Sequence, residues 1–233
     1  MKNQSIEVSV VMPCLNEQET LGTCIEKAQR ALNTLGVQGE VVVADNGSTD
    51  ESVAIAECFG VRVVHQPLRG YGAAYLAGFA AAQGKFIVMG DADDTYDFTD
   101  LGRFIIPLHE GFDLVMGNRF KREMLPGAMP WARRYIGNPI LSGILRWLFG
   151  TSISDSHCGM RSFTEEAYTR MALQTTGMEF ASEMVIKAVQ ANLKILEIPI
   201  NYYHRAGESK LKPIRDAARH IHFMLKYKIS DKI

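Results

Sequence analysis

Four short apolar runs rich in β-branched residues, separated by stretches of helical periodicity, fill the first 90 residues and leave few ways to fold. They are Glu7–Met12, Glu40–Ala44, Val61–His65 and Lys85–Gly90. Between them, Leu21, Ile25, Ala28, Leu32 and Leu35 recur at helical spacing, and a second helix through Val53 and Ala56 stops at Gly60. The stretch "RGYGAAYLAGFAAAQG" (69–84) is a glycine turn opening an Ala-rich helix. Asn16, with Glu19 three residues on, predicts a capping pair for the first helix. Strands joined by helices of this length predict right-handed crossovers and a mainly parallel, twisted sheet with flanking helices. In such α/β sheets ligands bind beyond the carboxyl ends of the strands. The polar loops 45–50 ("DNGSTD") and 91–97 lie at those ends.

The second half is less regular, but 233 residues suit one large domain. A strand is expected at Asp113–Gly117, helices near Thr164 and over Glu179–Gln190, and a further strand in "LKILEIPI". "DSHCGMRSF" (155–163) reads as a loop. Pro213 then suits the first position of a helix whose apolar stripe is Ile214, Ala217/Ala218, Ile221 and Leu225, beside Arg215, Arg219, Lys226 and Lys228. Charge is unevenly spread. Six cations against Glu123 make residues 119–150 net +5, and eight against three make 201–233 net +5, in a chain of net −1. Two basic blocks suggest a cationic face for an anionic partner, and no nucleic acid is expected.

Cys14, Cys24, Cys58 and Cys158 form no paired pattern, which suggests reduced thiols in a cytoplasmic setting. The chain enters a strand almost at once, so no signal peptide is expected, and no apolar run approaches a membrane span. Trp131, Tyr135, Trp147 and Phe149, with the basic helix from Pro213, fit an anchor at a membrane interface; core packing or a dimer surface is the rival.

The chemistry concentrates in "FIVMGDADDTYDF" (86–98), where a buried strand runs into Asp91, Asp93 and Asp94. Asp91-x-Asp93-x-Thr95 has the spacing of phosphatases with an aspartate nucleophile, and Asp91-x-Asp93 that of transferases holding a sugar nucleotide through a metal. The phosphatase chemistry needs a second acidic pair downstream. After Asp100 the aspartates Asp113, Asp155, Asp216 and Asp231 stand alone.

"VVMPCLNEQETL", "VVVADNGSTDES", "GDADD", "GNRF", "DSHCGMRSF" and "HRAGESKL" follow in order over nearly the whole chain. Together they resemble family 2 glycosyltransferases of the GT-A fold, in particular the dolichyl- and polyprenyl-phosphate hexose synthases. The resemblance implies a Rossmann-like sheet in one catalytic domain: a nucleotide-sugar half (1–118), an acceptor half (119–212) and a basic amphipathic interfacial helix (213–233). It implies Mg²⁺ or Mn²⁺ on Asp91 and Asp93, suited to hard oxygen ligands. Thr95 stands where relatives often offer a glutamine, leaving a third ligand open.

Pro13, Asn16, Glu17, Asp45 and Asp91 are the implied nucleotide contacts, with Gly70 and Gly72 admitting backbone close to the ligand; Asn46 replaces a second common aspartate. Arg119 and Arg133 would grip the acceptor's phosphate, with Gly137 where some relatives carry a serine. Arg205, Ser209 and Lys210 would close on the diphosphate. Asp155 matches a position often proposed as catalytic base, and could equally hold Arg161 or sugar hydroxyls. His157 and His204 read as ordinary hydrogen-bonding residues, lacking a second ligand at helical or hairpin spacing.

The implied reaction is inverting, metal-dependent transfer of a hexose from a nucleotide diphosphate sugar (GDP-mannose or UDP-glucose type) to polyprenyl or dolichyl phosphate. It would occur at the cytoplasmic membrane surface, with a homo-oligomer left open. The alternatives are a soluble transferase with a hydroxyl acceptor, and a nucleotide-binding module without turnover.

Overall fold

A computed structural model describes residues 5–122, 124–206 and 213–230. Seven strands form one sheet in the order β3-β2-β1-β4-β6-β5-β7. These are β1 (Val8–Cys14), β2 (Gly39–Asp45), β3 (Arg62–His65), β4 (Phe86–Met89), β5 (Leu114–Asn118), β6 (Arg161–Thr164) and β7 (Ile195–Pro199). All neighbours pair parallel except β6, which runs antiparallel to β4 and β5. Strand order reverses direction at β1, with β2 on one side and β4 on the other. That switch point is where an open α/β sheet leaves a crevice.

Strand residues alternate between two cores. Val8, Val10, Met12, Val41, Val43 and Val88 face α1 (Leu21–Leu35) and α4 (Leu101–His109). Val11, Val42, Ile87, Met89, Leu114 and Met116 face the other side, against α3 (Tyr71–Ala81), α5 (Asn138–Phe149) and α7 (Phe180–Gln190). The short helices α2 (Ser52–Cys58) and α6 (Glu165–Met171) complete the layers. Thr164 caps α6, its hydroxyl accepting from Ala167 N–H at 3.0 Å, as its place before two glutamates predicts.

Two local expectations are corrected. The capping pair at Asn16 does not form: α1 begins at Leu21, and Asn16 sits at φ 53° with its carboxamide oxygen accepting from Thr49 N–H at 2.7 Å. A left-handed asparagine makes a tight turn, and here its side chain ties two loops together. Residues 161–163 are a strand, not a loop. Arg161 hides the β signal because it is charged, yet it is buried in mid-sheet, donating to the carbonyls of Ser156, Cys158 and Ala181.

The last helix, α8 (Pro213–Ser230), packs on α5 and α7. His220 and Met224 are its most buried described residues, with Ala217, Ile221 and Tyr227 partly buried beside them, whereas Leu225 is exposed. The inward face is therefore turned from the expected stripe, because a neutral imidazole serves as a core side chain. Ser182 Oγ lies 2.8 Å from His220 Nδ1, His157 Nε2 is 3.4 Å from the same atom, and Ser156 Oγ bonds His157 Nδ1 at 2.9 Å. The hydrogen-bonding reading of His157 holds.

Burial pushes both imidazoles below the usual histidine range, His220 to about 4. The unfolded chain takes up protons on them near 6.5, so stability falls as pH drops from 6.5 toward 4. Asp91, raised to about 6, acts in the opposite sense. The diagnostic is therefore the difference between variants: the melting temperature of the native chain should fall more steeply over this window than that of His220→Gln.

Candidate active site

Two loops at the carboxyl ends of β1 and β2 are laced together. Asn16 N–H donates to Ser48 Oγ (3.0 Å), Glu17 N–H to Ser52 Oγ (2.9 Å) and Gln18 N–H to Asp50 Oδ2 (3.1 Å). Thr20 Oγ1 then donates to the carbonyl of Ala92 at 2.7 Å, fixing this pair of loops against the one after β4. Asp45 accepts from Ser48 N–H (2.9 Å) and Gly47 N–H (3.2 Å), with His65 Nδ1 at 3.3 Å. Burial raises the Asp45 carboxyl, but these hydrogen bonds outweigh it and hold the group below the usual carboxylate range.

Asn46 is explained by its partners. Its NH₂ donates to the carbonyls of Gln66 (2.9 Å) and Leu68 (2.8 Å), and its oxygen accepts from Gly70 N–H (2.8 Å). An aspartate has no donor for the two carbonyls, so asparagine here holds loop 66–70. Gly70 and Gly72 are both required by the packing of the chain itself. A Cβ would lie 2.1 Å from the Thr176 carbonyl oxygen at Gly70 and 2.2 Å from that of Thr175 at Gly72. The close backbone they admit is the chain's own.

The loop after β4 carries the acidic centre. Asp91 Oδ1 accepts from the hydroxyls of Tyr71 (3.0 Å) and Tyr75 (3.1 Å), one turn apart on α3. Burial and then the charge of Asp93 push the Asp91 carboxyl up to about 6, against those hydrogen bonds and the pull of Arg205. Asp93 Oδ1 accepts from Thr95 Oγ1 at 2.6 Å and Thr95 N–H at 3.2 Å, so Thr95 orients Asp93. Asp94, at φ 57°, turns away to pair with Lys27 Nζ at 2.7 Å. Arg205 reaches in from the segment after β7, donating to Asp93 Oδ2 (2.6 Å) and Glu17 Oε1 (2.7 Å).

Two carboxylates, Glu17 and Asp93, thus meet on one guanidinium, with Asp91 near enough to feel its charge. The donors are all oxygens at a position that already attracts a cation, which fits a hard divalent ion. Among the described residues no group of three or more His, Cys, Asp or Glu forms a metal cage. That suits an ion taking one or two carboxylates and completing its shell from a bound phosphate.

Beside this centre, Arg119 and Asp155 form a sealed pair. Arg119 Nε and Nη2 donate to the two carboxylate oxygens at 2.8 and 2.7 Å, and Arg119 N–H adds a third bond at 3.0 Å. Asp155 has no exposed surface, and the Arg119 guanidinium lies 5.3 Å from the Tyr202 ring. Asp155 holds Arg119 rather than Arg161, and in this arrangement the Arg119 fork is spent on Asp155.

Arg133 is half-buried on a π-helical turn (Arg133–Gly137) before α5, outside the hydrogen-bonded centre. Pro13 lies in β1, one residue before Cys14 at the strand's end. Ser209 and Lys210 lie outside the described residues. Tyr71 and Tyr75 were missed from sequence; their one signal is two hydroxyls four residues apart on an Ala- and Gly-rich helix.

The sheet, its switch-point crevice and the acidic pair beyond β4 define a GT-A fold. The sequence model of Glycosyl transferase family 2 matches residues 9–172, and the chain belongs to that family. It is 45% identical over 219 residues to the low-salt glycan biosynthesis hexosyltransferase Agl6 of Haloferax volcanii, covering 94% of this chain and 53% of that protein. The chain thus spans about half the length of that relative. It is 33% identical over 213 residues to a dolichyl-phosphate hexose transferase of the same organism, covering 91% and 90% of the two. Among solved structures, glucosyl-3-phosphoglycerate synthase from Mycobacterium tuberculosis, in complex with Mn²⁺ and UDP-glucose, superposes with a TM-score of 0.74. It has 24% identity over 96% of this chain and 79% of that one, a likeness of fold.

Proposed function

We propose that this chain transfers a hexose from a nucleotide diphosphate sugar to a polyprenyl or dolichyl phosphate, with inversion at the sugar carbon. The observation that carries the acceptor assignment is the sealing of Asp155. A hydroxyl acceptor must lose a proton to a base, and the one residue considered for that task is buried in an ion pair with Arg119. A phosphate monoester, with a second pKa of about 6, is already an ionised nucleophile at neutral pH and needs only to be positioned. The resemblance over 90% of the length of a dolichyl-phosphate hexose transferase supports the same choice.

On the donor side, Pro13 and Asp45 at the ends of β1 and β2, with Asn16 and Glu17 in the loop after β1, would receive the nucleotide. Asp91 and Asp93 would hold Mg²⁺ or Mn²⁺, which when bound supplies Lewis-acid stabilisation to the departing diphosphate. Tyr71, Tyr75 and Thr95 fix the orientation of the two carboxylates. Arg205, and in the resemblance Ser209 and Lys210, would supply positive charge to the same group, while Arg133 stands for the acceptor phosphate.

A membrane surface fits the outer face of the second half. Trp131, Tyr135, Ile136, Ile140 and Trp147 are exposed along the π turn and α5, Trp147 at 82%, with Arg134 and Arg146 in the same stretch. Aromatic and basic side chains together suit a headgroup boundary. Phe149 is not part of this face, since it packs near Tyr227 with Lys228 over its ring. No helix among the described residues is long and apolar enough to cross a membrane.

The acceptor is tested by competition. With a donor that supports turnover, polyprenyl phosphate should yield product, while the matching polyprenyl alcohol and soluble saccharides should not. Comparable transfer to the alcohol or to a saccharide would refute the phosphate acceptor.

A further inference from the structure

Arg205 occupies a demanding position. Its guanidinium bridges Asp93 beyond β4 and Glu17 beyond β1, with both contacts short. The other oxygen of Asp93 is taken by Thr95, so docked Arg205 leaves neither oxygen of this carboxylate uncommitted. The segment bearing it is held by Ile200 N–H on the Asn118 carbonyl (3.0 Å) and Tyr203 N–H on the Thr95 carbonyl (3.1 Å). These anchors end two residues before Arg205, so its side chain can leave Asp93 without the strand end moving. Its Nε is buried with no hydrogen-bond partner among the described residues, so the docked arginine is incompletely satisfied. Among the described residues the Arg205 guanidinium pairs with two carboxylates and its charge reaches Asp91, a concentration of negative charge that suits a doubly charged ion.

We propose that Arg205 is a latch on the acidic centre: docked on Glu17 and Asp93 it excludes a divalent cation from Asp93, and the cation displaces it. Glu17 is the parking place that makes the docked state specific, since it binds the arginine from the opposite loop. Once displaced, the guanidinium becomes available to an anionic substrate group, so cation binding and arginine release are one event. The latch rests on the assignment of a divalent ion to Asp91 and Asp93.

Trypsin reads the latch directly, because it cleaves after an arginine only when the side chain can enter the protease pocket. The probe is Mn²⁺ alone, its binding followed in parallel by the electron paramagnetic resonance of the free ion. Cleavage after exposed Arg122 serves as the internal control. In EDTA, cleavage after Arg205 should be slow, and saturating Mn²⁺ should accelerate it about tenfold or more relative to Arg122. Glu17→Gln should show the fast rate already in EDTA, and Arg205→Gln should bind Mn²⁺ more tightly than the native chain. Mn²⁺ bound by Arg205→Gln but not by the native chain would also support the latch. Mn²⁺ binding to the native chain with no change in cleavage after Arg205 would overturn the latch and leave the metal assignment standing. Failure of both proteins to bind Mn²⁺, alone and with a nucleoside diphosphate present, would overturn both. The native-chain comparison needs no variant, so a misfolded substitution cannot mask the outcome.

Discussion

Asp93→Asn is expected to lower hexose transfer by roughly 10²–10³-fold or more, the loss that follows removal of one group stabilising developing charge. The substitution preserves volume and can keep the acceptor oxygen for Thr95, so the fold should survive it. What disappears is the charge that holds Arg205 at 2.6 Å and, on the proposed reading, the divalent ion. Initial rates under saturating donor, together with Mn²⁺ titration of the same sample, separate loss of the ion from loss of structure. A variant with unimpaired turnover would remove Asp93 from the chemistry and leave the acidic centre a loop-stabilising feature.

The second large effect falls on stability. Arg119→Ala leaves Asp155 charged, without solvent, and stripped of two of its hydrogen bonds. Breaking a buried ion pair by deleting one partner costs about 3–5 kcal/mol, which in a chain of this size lowers the melting temperature by roughly 6–20 °C. Asp155→Asn should also destabilise, by less, because an amide oxygen can still accept from Arg119. If the pair is structural, the two single variants and the double variant will show strong coupling in thermal unfolding. An Asp155→Asn protein with native stability and no turnover would instead restore Asp155 as the base, and with it the hydroxyl-acceptor alternative.

What could be read from sequence tracks the range of the interactions involved. Strands β1 to β4 were legible because β-branched runs and helical repeats are local patterns, and the position of the 45–50 and 91–97 loops followed from topology alone. Local patterns also misled. Asn16 and Glu19 have capping-box spacing, but the competing hydrogen bond to Thr49 comes from a different loop. Arg161 disguised β6, because its carbonyl partners are set by tertiary structure. Gly70 and Gly72 were recognised as sites of close approach, yet only the fold reveals that the Thr175–Thr176 backbone approaches them.

The site divides in the same way. Asp91 and Asp93 stand out within one short motif, while their supports do not: Tyr71 and Tyr75 lie a strand earlier, and Glu17 and Arg205 near opposite ends of the chain. Asp155 and Arg119 illustrate the cost of reading roles one residue at a time. Each suggested a separate catalytic task, and the fold joins them in one buried ion pair that neither residue shows alone.

The central claim is metal-dependent transfer of a hexose to a lipid phosphate. It is tested most directly by incubating the chain with polyprenyl phosphate and a panel of labelled nucleotide diphosphate hexoses, in Mn²⁺ or in EDTA, and extracting the lipid phase. The account predicts label in the lipid phase for at least one donor with Mn²⁺ and none in EDTA. No lipid-linked sugar with any donor, or equal labelling in EDTA, would contradict it.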